Sequence, residues 1–169
     1  MLHHFDRWLV RANRAAIIAM MAAMACMVFA NVVLRYASGH SILWVEEASR
    51  YLMIWLTFVG SGLVLRYGGH IGIETLQERL PAHGPLLRAL IVVLLLVFFV
   101  AMVWLGTVYA SRTWSQTTPV MQLPVGSVYL AMPIGFALLI VHLLLMTPGW
   151  VRRKAVIEDA EFDADAVQM

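Results

Sequence analysis

Four long apolar runs constrain what this chain of 169 residues can fold into. They cover residues 15–34, 51–65, 89–110 and 128–146. A helix that crosses the roughly 30 Å hydrocarbon core of a membrane needs about 20 residues, and backbone groups in lipid can bond only to each other. Of all residues 62% are hydrophobic and 13% charged, whereas soluble domains carry about 25% charged residues. The sequence therefore predicts an all-α membrane protein with four transmembrane helices.

The second run is too short to cross a membrane unaided. Its 15 residues would cover about 22 Å as a helix, so we expect the helix to extend backwards into residues 41–50. That stretch carries Trp44 and two carboxylates, and Trp and Tyr side chains are favoured at a membrane interface. An amphipathic segment should thus lead into the second span, while Pro133 and Gly135 predict a kink in the fourth.

The beginning of the chain has some features of a cleaved signal peptide. Arg7, Arg11 and Arg14 precede the first apolar run, but that run is 20 residues long, against about 7–15 in a signal peptide. We expect it to be kept as a membrane helix. The single cysteine, Cys26, excludes an internal disulfide framework and a cysteine-based zinc site.

The distribution of Lys and Arg predicts the orientation and the domain boundaries. Nine lie in the two terminal segments and the middle connection, against three in the other two connections; the nine are Arg7, Arg11, Arg14, Arg66, Arg79, Arg88, Arg152, Arg153 and Lys154. By the positive-inside rule both termini should face the cytoplasm. We expect a cytoplasmic N-terminus at 1–14, a membrane domain at 15–148, and a disordered cytoplasmic acidic tail at 149–169.

The apolar runs offer little for chemistry. Ionisable groups inside a membrane are costly and typically mark ion or substrate pathways, yet His142 is the only titratable residue in these runs apart from tyrosine and Cys26. One histidine cannot supply both axial ligands of a haem. We expect His142 to be neutral and to hydrogen-bond a neighbouring helix near the cytoplasmic side, and we expect no catalytic residue, cofactor or metal site.

The first span offers two kinds of face for helix packing. Small side chains recur at Ala15, Ala19 and Ala23 and again at Ala22, Cys26 and Ala30, while Met20, Met24 and Met27 form another face. Small residues let helices approach closely in lipid, and methionine adapts to irregular surfaces. Asn31 is expected to hydrogen-bond across helices.

Residues 41–50 are the most informative segment. Glu46 and Arg50 are spaced to pair on one helix face. The adjacent carboxylates Glu46 and Glu47 are compatible with a proton or cation site, but an amphipathic entry helix with solvated or paired charges explains them more simply. If they have a function, binding a partner subunit is favoured over catalysis.

Several motifs in a fixed order resemble the small membrane subunit (DctQ-like, Q subunit) of tripartite ATP-independent periplasmic (TRAP) transporters. They extend over residues 8–148 and comprise Asn31-Val-Val-Leu-Arg-Tyr36, Ser41-Ile-Leu-Trp44-Val-Glu46-Glu47, Arg50, Trp55-Leu-Thr-Phe-Val-Gly60, Arg66-Tyr-Gly-Gly-His70, Leu123-Pro124 and Tyr129-Leu-Ala-Met-Pro133-Ile-Gly135. The chain departs from the pattern at Tyr67, where a basic residue is expected, and at Glu74, where Asp is expected.

The resemblance implies a scaffold subunit in the bacterial inner membrane, and no enzyme. Its partners would be a large membrane subunit that carries substrate and sodium, and a periplasmic binding protein that delivers an organic acid of the dicarboxylate, keto acid or sialic acid type. The lipid bilayer is the surrounding solvent, and no nucleic-acid partner is expected. The interface candidates are Arg35, Trp44, Glu46, Glu47, Arg50 and His70.

Two other functions fit four apolar helices. A haem-binding membrane-anchor subunit of a respiratory enzyme would need two histidines at matching depth, and would show a Soret absorption band. A small proton-coupled exporter working as a homodimer would need an acid inside a span, and the apolar runs contain none.

Overall fold

The computed structural model describes residues 2–67 and 84–151, with side chains for 4–67 and 89–147. Its helices are α1 (Leu2–Ser38), α2 (Leu43–Arg66), α3 (Gly84–Arg112), α4 (Val125–Tyr129) and α5 (Ala131–Val151). Four helical stretches are long and apolar enough to cross a membrane: His4–Ser38, Leu43–Arg66, Ala89–Arg112 and Val125–Thr147. The predicted all-α class with four membrane-spanning helices is confirmed.

The helix bounds differ from the apolar runs in ways that physical chemistry explains. The backward extension of the second span is confirmed, because α2 begins at Leu43. Helix α1 begins at Leu2, well before residue 15, since arginines are good helix formers and their apolar stems tolerate a lipid boundary. It ends where Gly39 takes the positive φ of 71° and donates its N–H to the carbonyl of Arg35.

The predicted kink in the fourth span is present as a short break between α4 and α5. Pro133 has no N–H to bond Tyr129, and its ring opposes the carbonyl four residues earlier, which accounts for the break at Leu130. Glycines accommodate the distorted region. A Cβ on Gly106 would lie 2.9 Å from the ring of Pro133, and one on Gly135 would lie 2.7 Å from the backbone oxygen of Phe58.

Helix α2 packs between α1 and α5, and α3 packs against α5 and α4. The apolar core lies between α2, α3 and α5 and is centred on a cluster of buried residues, namely Leu65, Val92, Phe99, Leu139 and Leu143. Phe136 joins this cluster to a set of ring contacts with Phe58, Phe98 and Phe99.

Helix α1 packs mainly against α2. Its least exposed positions recur at alternating spacings of three and four residues: Val10, Asn13, Ile17, Met20, Met24, Met27 and Asn31. This repeat is typical of two helices that pack along their length. The methionine face predicted from the sequence thus lies against α2, while the alanine faces remain exposed.

The helix bundle has two ends, which we call the terminal end and the loop end. The terminal end is where α1 begins and where α2 and α5 end. The loop end is where α1 ends and α2 begins, and where residues 113–124 connect α3 to α4. Residues 68–83 and 152–169, which include His70, Glu74 and the acidic tail, lie outside the described part of the chain.

Candidate functional sites at the two ends of the bundle

At the loop end, the side chain of Glu47 joins α2 to the connection over residues 113–124. Its side chain is buried, with 6% of the residue exposed. One carboxylate oxygen accepts a hydrogen bond from the Tyr51 hydroxyl at 2.6 Å. The other accepts the backbone N–H groups of Val120 at 2.8 Å and Met121 at 3.2 Å. A carboxylate on α2 therefore holds the backbone of a connection more than seventy residues further along the chain.

The connection over residues 113–124 is folded so that these two N–H groups point towards α2. The N–H of Thr118 donates to the carbonyl of Leu123 at 2.8 Å, and the N–H of Leu123 returns to the Thr118 hydroxyl at 3.1 Å. A second closing bond joins the N–H of Val125 to the carbonyl of Gln116 at 2.8 Å. Gln122 turns the chain with a φ of 56°. The result is a closed turn, which we call the clamped loop.

The two adjacent carboxylates, Glu46 and Glu47, differ from what the sequence predicted. Glu46 and Arg50 are both exposed, and no ion pair joins them in the described part of the chain. Glu47, which was expected to be solvated or paired, is buried against the loop. Successive residues on a helix point about 100° apart, so one of the two adjacent acids faces the bundle while the other faces out.

Four of the other interface candidates lie at the same end. Arg35 and Trp44 are exposed, as are Glu46 and Arg50, so these four side chains are accessible while Glu47 is not. His70 falls in the undescribed segment. The structure thus brings the five described candidates to one end of the bundle and separates Glu47 from the other four by burial. Their role in binding a partner remains a prediction.

Asn31 also acts at the loop end, through the backbone. Its side-chain oxygen accepts the N–H of Ile42 at 2.7 Å, and Ile42 is the residue that precedes α2. The first N–H groups of a helix have no partner within it. The predicted cross-helix hydrogen bond is therefore present, as a bond to the connection that starts α2.

The terminal end is held by contacts between side chains of different helices. Arg66 of α2 forms an ion pair with Asp6 of α1, with one N–O distance of 2.8 Å. Arg14 donates a hydrogen bond to the Tyr67 hydroxyl at 3.1 Å. Nε2 of His142 lies 3.3 Å from the amide nitrogen of Asn13. These contacts tie the start of α1 to α2 and α5.

His142 is fully buried where α1, α2 and α5 meet. Gly62 provides the space, because a Cβ there would lie 2.6 Å from the imidazole Cδ2. The predicted hydrogen bond of His142 to a neighbouring helix is confirmed. His40 is exposed at the opposite end, so it does not form a ligand pair with His142, and His4 is exposed in the first turn of α1.

Between the two ends, hydroxyl groups are occupied within their own helices. Thr57, Ser61 and Thr107 donate to the carbonyls of Met53, Phe58 and Val103, which lie three or four residues earlier. In the part of the chain that is described, no three His, Cys, Asp or Glu side chains converge as a metal site would require. The middle of the bundle offers apolar packing.

In the described part of the chain, four candidate spans, polar contacts between elements at the two ends and an apolar middle are typical of a membrane-embedded protein. The family model for the DctQ component of tripartite ATP-independent periplasmic transporters matches residues 24–153. The chain belongs to this family and is a TRAP transporter small permease subunit.

Individual relatives agree with the family. A protein of Haemophilus influenzae described as a TRAP transporter small permease is 30% identical over 136 residues, covering 80% of this chain and 84% of the relative. The C4-dicarboxylate TRAP transporter small permease DctQ of Vibrio cholerae is 27% identical, covering 88% and 76%. The isethionate TRAP transporter permease DctMQ of Oleidesulfovibrio alaskensis is 27% identical over 88% of this chain but only 24% of its own length.

Proposed function

We propose that this subunit is a non-catalytic scaffold for a large membrane subunit, in sodium-driven uptake of an organic acid that a periplasmic binding protein delivers. The observation that carries the proposal is the distribution of polar side chains. They form contacts at the two ends of the bundle, while the hydroxyls of Thr57, Ser61 and Thr107 in its middle bond to their own helices. A substrate pathway through a membrane requires polar or ionisable groups along its length, so the pathway belongs in another subunit.

The relatives support a larger partner. In the DctMQ relative, the segment similar to this chain is about a quarter of a longer permease. In that relative, the rest of the chain would correspond to the large subunit. For this protein, the large subunit would be a separate chain. Two relatives are named for C4-dicarboxylate and isethionate, which are organic anions, and another is named for ectoine, a zwitterion that also carries a carboxylate. These names support a small organic acid as the class of substrate.

The orientation follows from the basic residues. In the sequence, nine Lys and Arg residues lie in the two terminal segments and the middle connection, against three in the other two connections. By the positive-inside rule this distribution supports a cytoplasmic terminal end and a loop end on the periplasmic side of the inner membrane, which we propose as the orientation. The exposed candidates at the loop end, Arg35, Trp44, Glu46 and Arg50, become proposed contacts for the partner proteins.

Reconstitution into liposomes tests the proposal. With an inward sodium gradient, the small subunit by itself should take up no labelled organic acid, because its described spans provide no polar pathway. Adding the large subunit and the loaded binding protein should start uptake. Uptake by the small subunit in the absence of the large one would contradict the scaffold role. Uptake by the large subunit and binding protein at the full rate without it would show that no scaffold is needed.

A further inference from the structure

The clamped loop contains no charged residue. Its twelve residues, 113–124, include no Asp, Glu, Lys, Arg or His. The other connection at the loop end, residues 39–42, is only four residues long and yet contains His40, and the last turn of α1 before it carries Arg35. A twelve-residue connection that projects into water ordinarily carries charges, so its composition is typical of a segment in a less polar environment.

Three of the exposed side chains of the loop are large and apolar, and the exposed polar ones, Ser115, Gln116, Thr117 and Gln122, are uncharged. Trp114, Val120 and Leu123 are 51%, 47% and 41% exposed, respectively. Leu43 and Trp44, in the first turn of α2, are also exposed. Indole rings are favoured where hydrocarbon meets lipid headgroups.

The hydrogen bonds to Glu47 fix the position of the clamped loop along the axis of α2. Glu47 lies only about 6 Å along the axis from the start of α2, and its side chain leans towards that start. Because the N–H groups of Val120 and Met121 reach this carboxylate, the loop is folded back beside the first turns of α2.

We propose that the clamped loop lies in the lipid surface, at the boundary between headgroups and acyl chains, with Trp114, Val120 and Leu123 facing lipid. Glu47 makes this position possible. In water the N–H groups of Val120 and Met121 would find solvent acceptors, but irregular backbone at membrane depth must be satisfied by protein. A buried carboxylate that accepts both groups supplies what the lipid cannot.

Spin-label accessibility tests this placement in the complex with the large subunit. The complex would be placed in nanodiscs of phosphatidylethanolamine and phosphatidylglycerol, with Cys26→Ala to remove the native thiol. Labels at Val120→Cys and Leu123→Cys report on the loop. Ser41→Cys, a polar exposed position at the same end, is the aqueous reference, and Val97→Cys, on the exposed apolar surface of α3, is the lipid reference.

The possible outcomes distinguish a loop that lies in lipid from one in water and from one covered by a protein. We expect the loop labels to collide with oxygen as the Val97 label does, and to be shielded from a polar nickel reagent that reaches the Ser41 label. Accessibility to nickel equal to that of Ser41 would overturn the proposal in favour of a solvated loop. Shielding from both reagents would overturn it in favour of a protein partner.

A pair of substitutions tests the part played by Glu47. Glu47→Ala removes the acceptor of both loop N–H groups, whereas Glu46→Ala removes the same charge from an exposed neighbour. We expect Glu47→Ala to raise nickel accessibility at Val120 about tenfold, as loss of charge-assisted hydrogen bonds allows, and Glu46→Ala to leave it unchanged. Equal effects of the two substitutions would contradict the holding role, even if the loop still lies in lipid.

Discussion

At the loop end, a single carboxylate on α2 accepts backbone N–H groups and thereby shapes a connection that has no regular structure of its own. At the terminal end, side chains of α1 meet side chains of α2 and α5, which are already held in helices, and the Tyr67 side chain directly after α2. The first arrangement determines the shape of a loop, whereas the second determines where a helix lies.

Helix α1 is positioned by polar contacts near both of its ends. Its middle presents methionines to α2, and its alanine faces are exposed, so the apolar contact along its length is limited. Polar contacts at both ends supplement this limited apolar packing. They involve Asp6, Asn13 and Arg14 at the terminal end, and Asn31 at the loop end. Contacts of this kind specify position and register as much as they stabilise.

Gly62→Ala should have the largest effect, because it acts where three helices meet. The added Cβ would lie 2.6 Å from the ring of His142, so α1, α2 and α5 would have to separate. Overpacking of this kind typically costs about 1–3 kcal/mol. Thermal unfolding of the purified protein in detergent would measure the loss.

Gly60→Ala is the matched control, two residues earlier on the same helix. Its added Cβ would meet only Ile17, at an ordinary 3.7 Å. We expect a slight gain in stability, since alanine is the better helix former. A loss equal to that of Gly62→Ala would show that any added methyl on α2 is harmful, and that His142 has no special part.

Asn31→Leu should have the next largest effect and should act at the loop end. It removes the acceptor of the Ile42 N–H at the start of α2, and loss of a capping acceptor costs on the order of 1 kcal/mol. Hydrogen exchange should accelerate at Ile42. Ser38→Ala is the control, because its hydroxyl bonds only the carbonyl of Leu34 in its own helix; acceleration in the control as well would argue against a specific cap.

Asp6→Asn should destabilise the protein by about 1 kcal/mol or less, because the ion pair with Arg66 is partly open to solvent. Exchanging the two residues, as Asp6→Arg with Arg66→Asp, should recover part of the loss. Unfolding of the two single variants and the exchange variant would give the coupling energy. No coupling would mean that the ion pair does not hold α1.

Substitutions in the middle of the bundle should have the smallest effect. Thr57→Val and Thr107→Val remove hydroxyls that bond only to their own helices. We expect uptake by the reconstituted complex to keep its rate and its sodium dependence. A lower apparent affinity for substrate or sodium in either variant would place these helices on the transport pathway and contradict the scaffold role.

The sequence was sufficient to predict the spans, because the membrane sets their length and backbone hydrogen bonding makes them helical. The start of α2 before its apolar run, the kink near Pro133 and the hydrogen bond of His142 to another helix all followed from local rules. Helix α1 was underestimated because arginines end an apolar run without ending a helix.

The role of Glu47 could not be predicted from the sequence. Adjacent acids look alike in a sequence, and which of them faces the bundle depends on how α2 is rotated against its neighbours. The partners of Glu47 are backbone groups of Val120 and Met121, which carry no side-chain signal. The uncharged connection at 113–124 was visible, but nothing local linked it to an acid on α2.

Hydrogen exchange at Val120 and Met121 tests most directly whether one carboxylate organises the loop end. The wild-type protein and Glu46→Gln should exchange these amides slowly. Glu47→Gln should be intermediate, because hydrogen bonds to a neutral amide oxygen are about half as strong as those to a carboxylate, and Glu47→Ala should be the fastest. If Glu47→Ala protects both amides as well as Glu46→Gln does, the loop holds its own shape and Glu47 does not organise it.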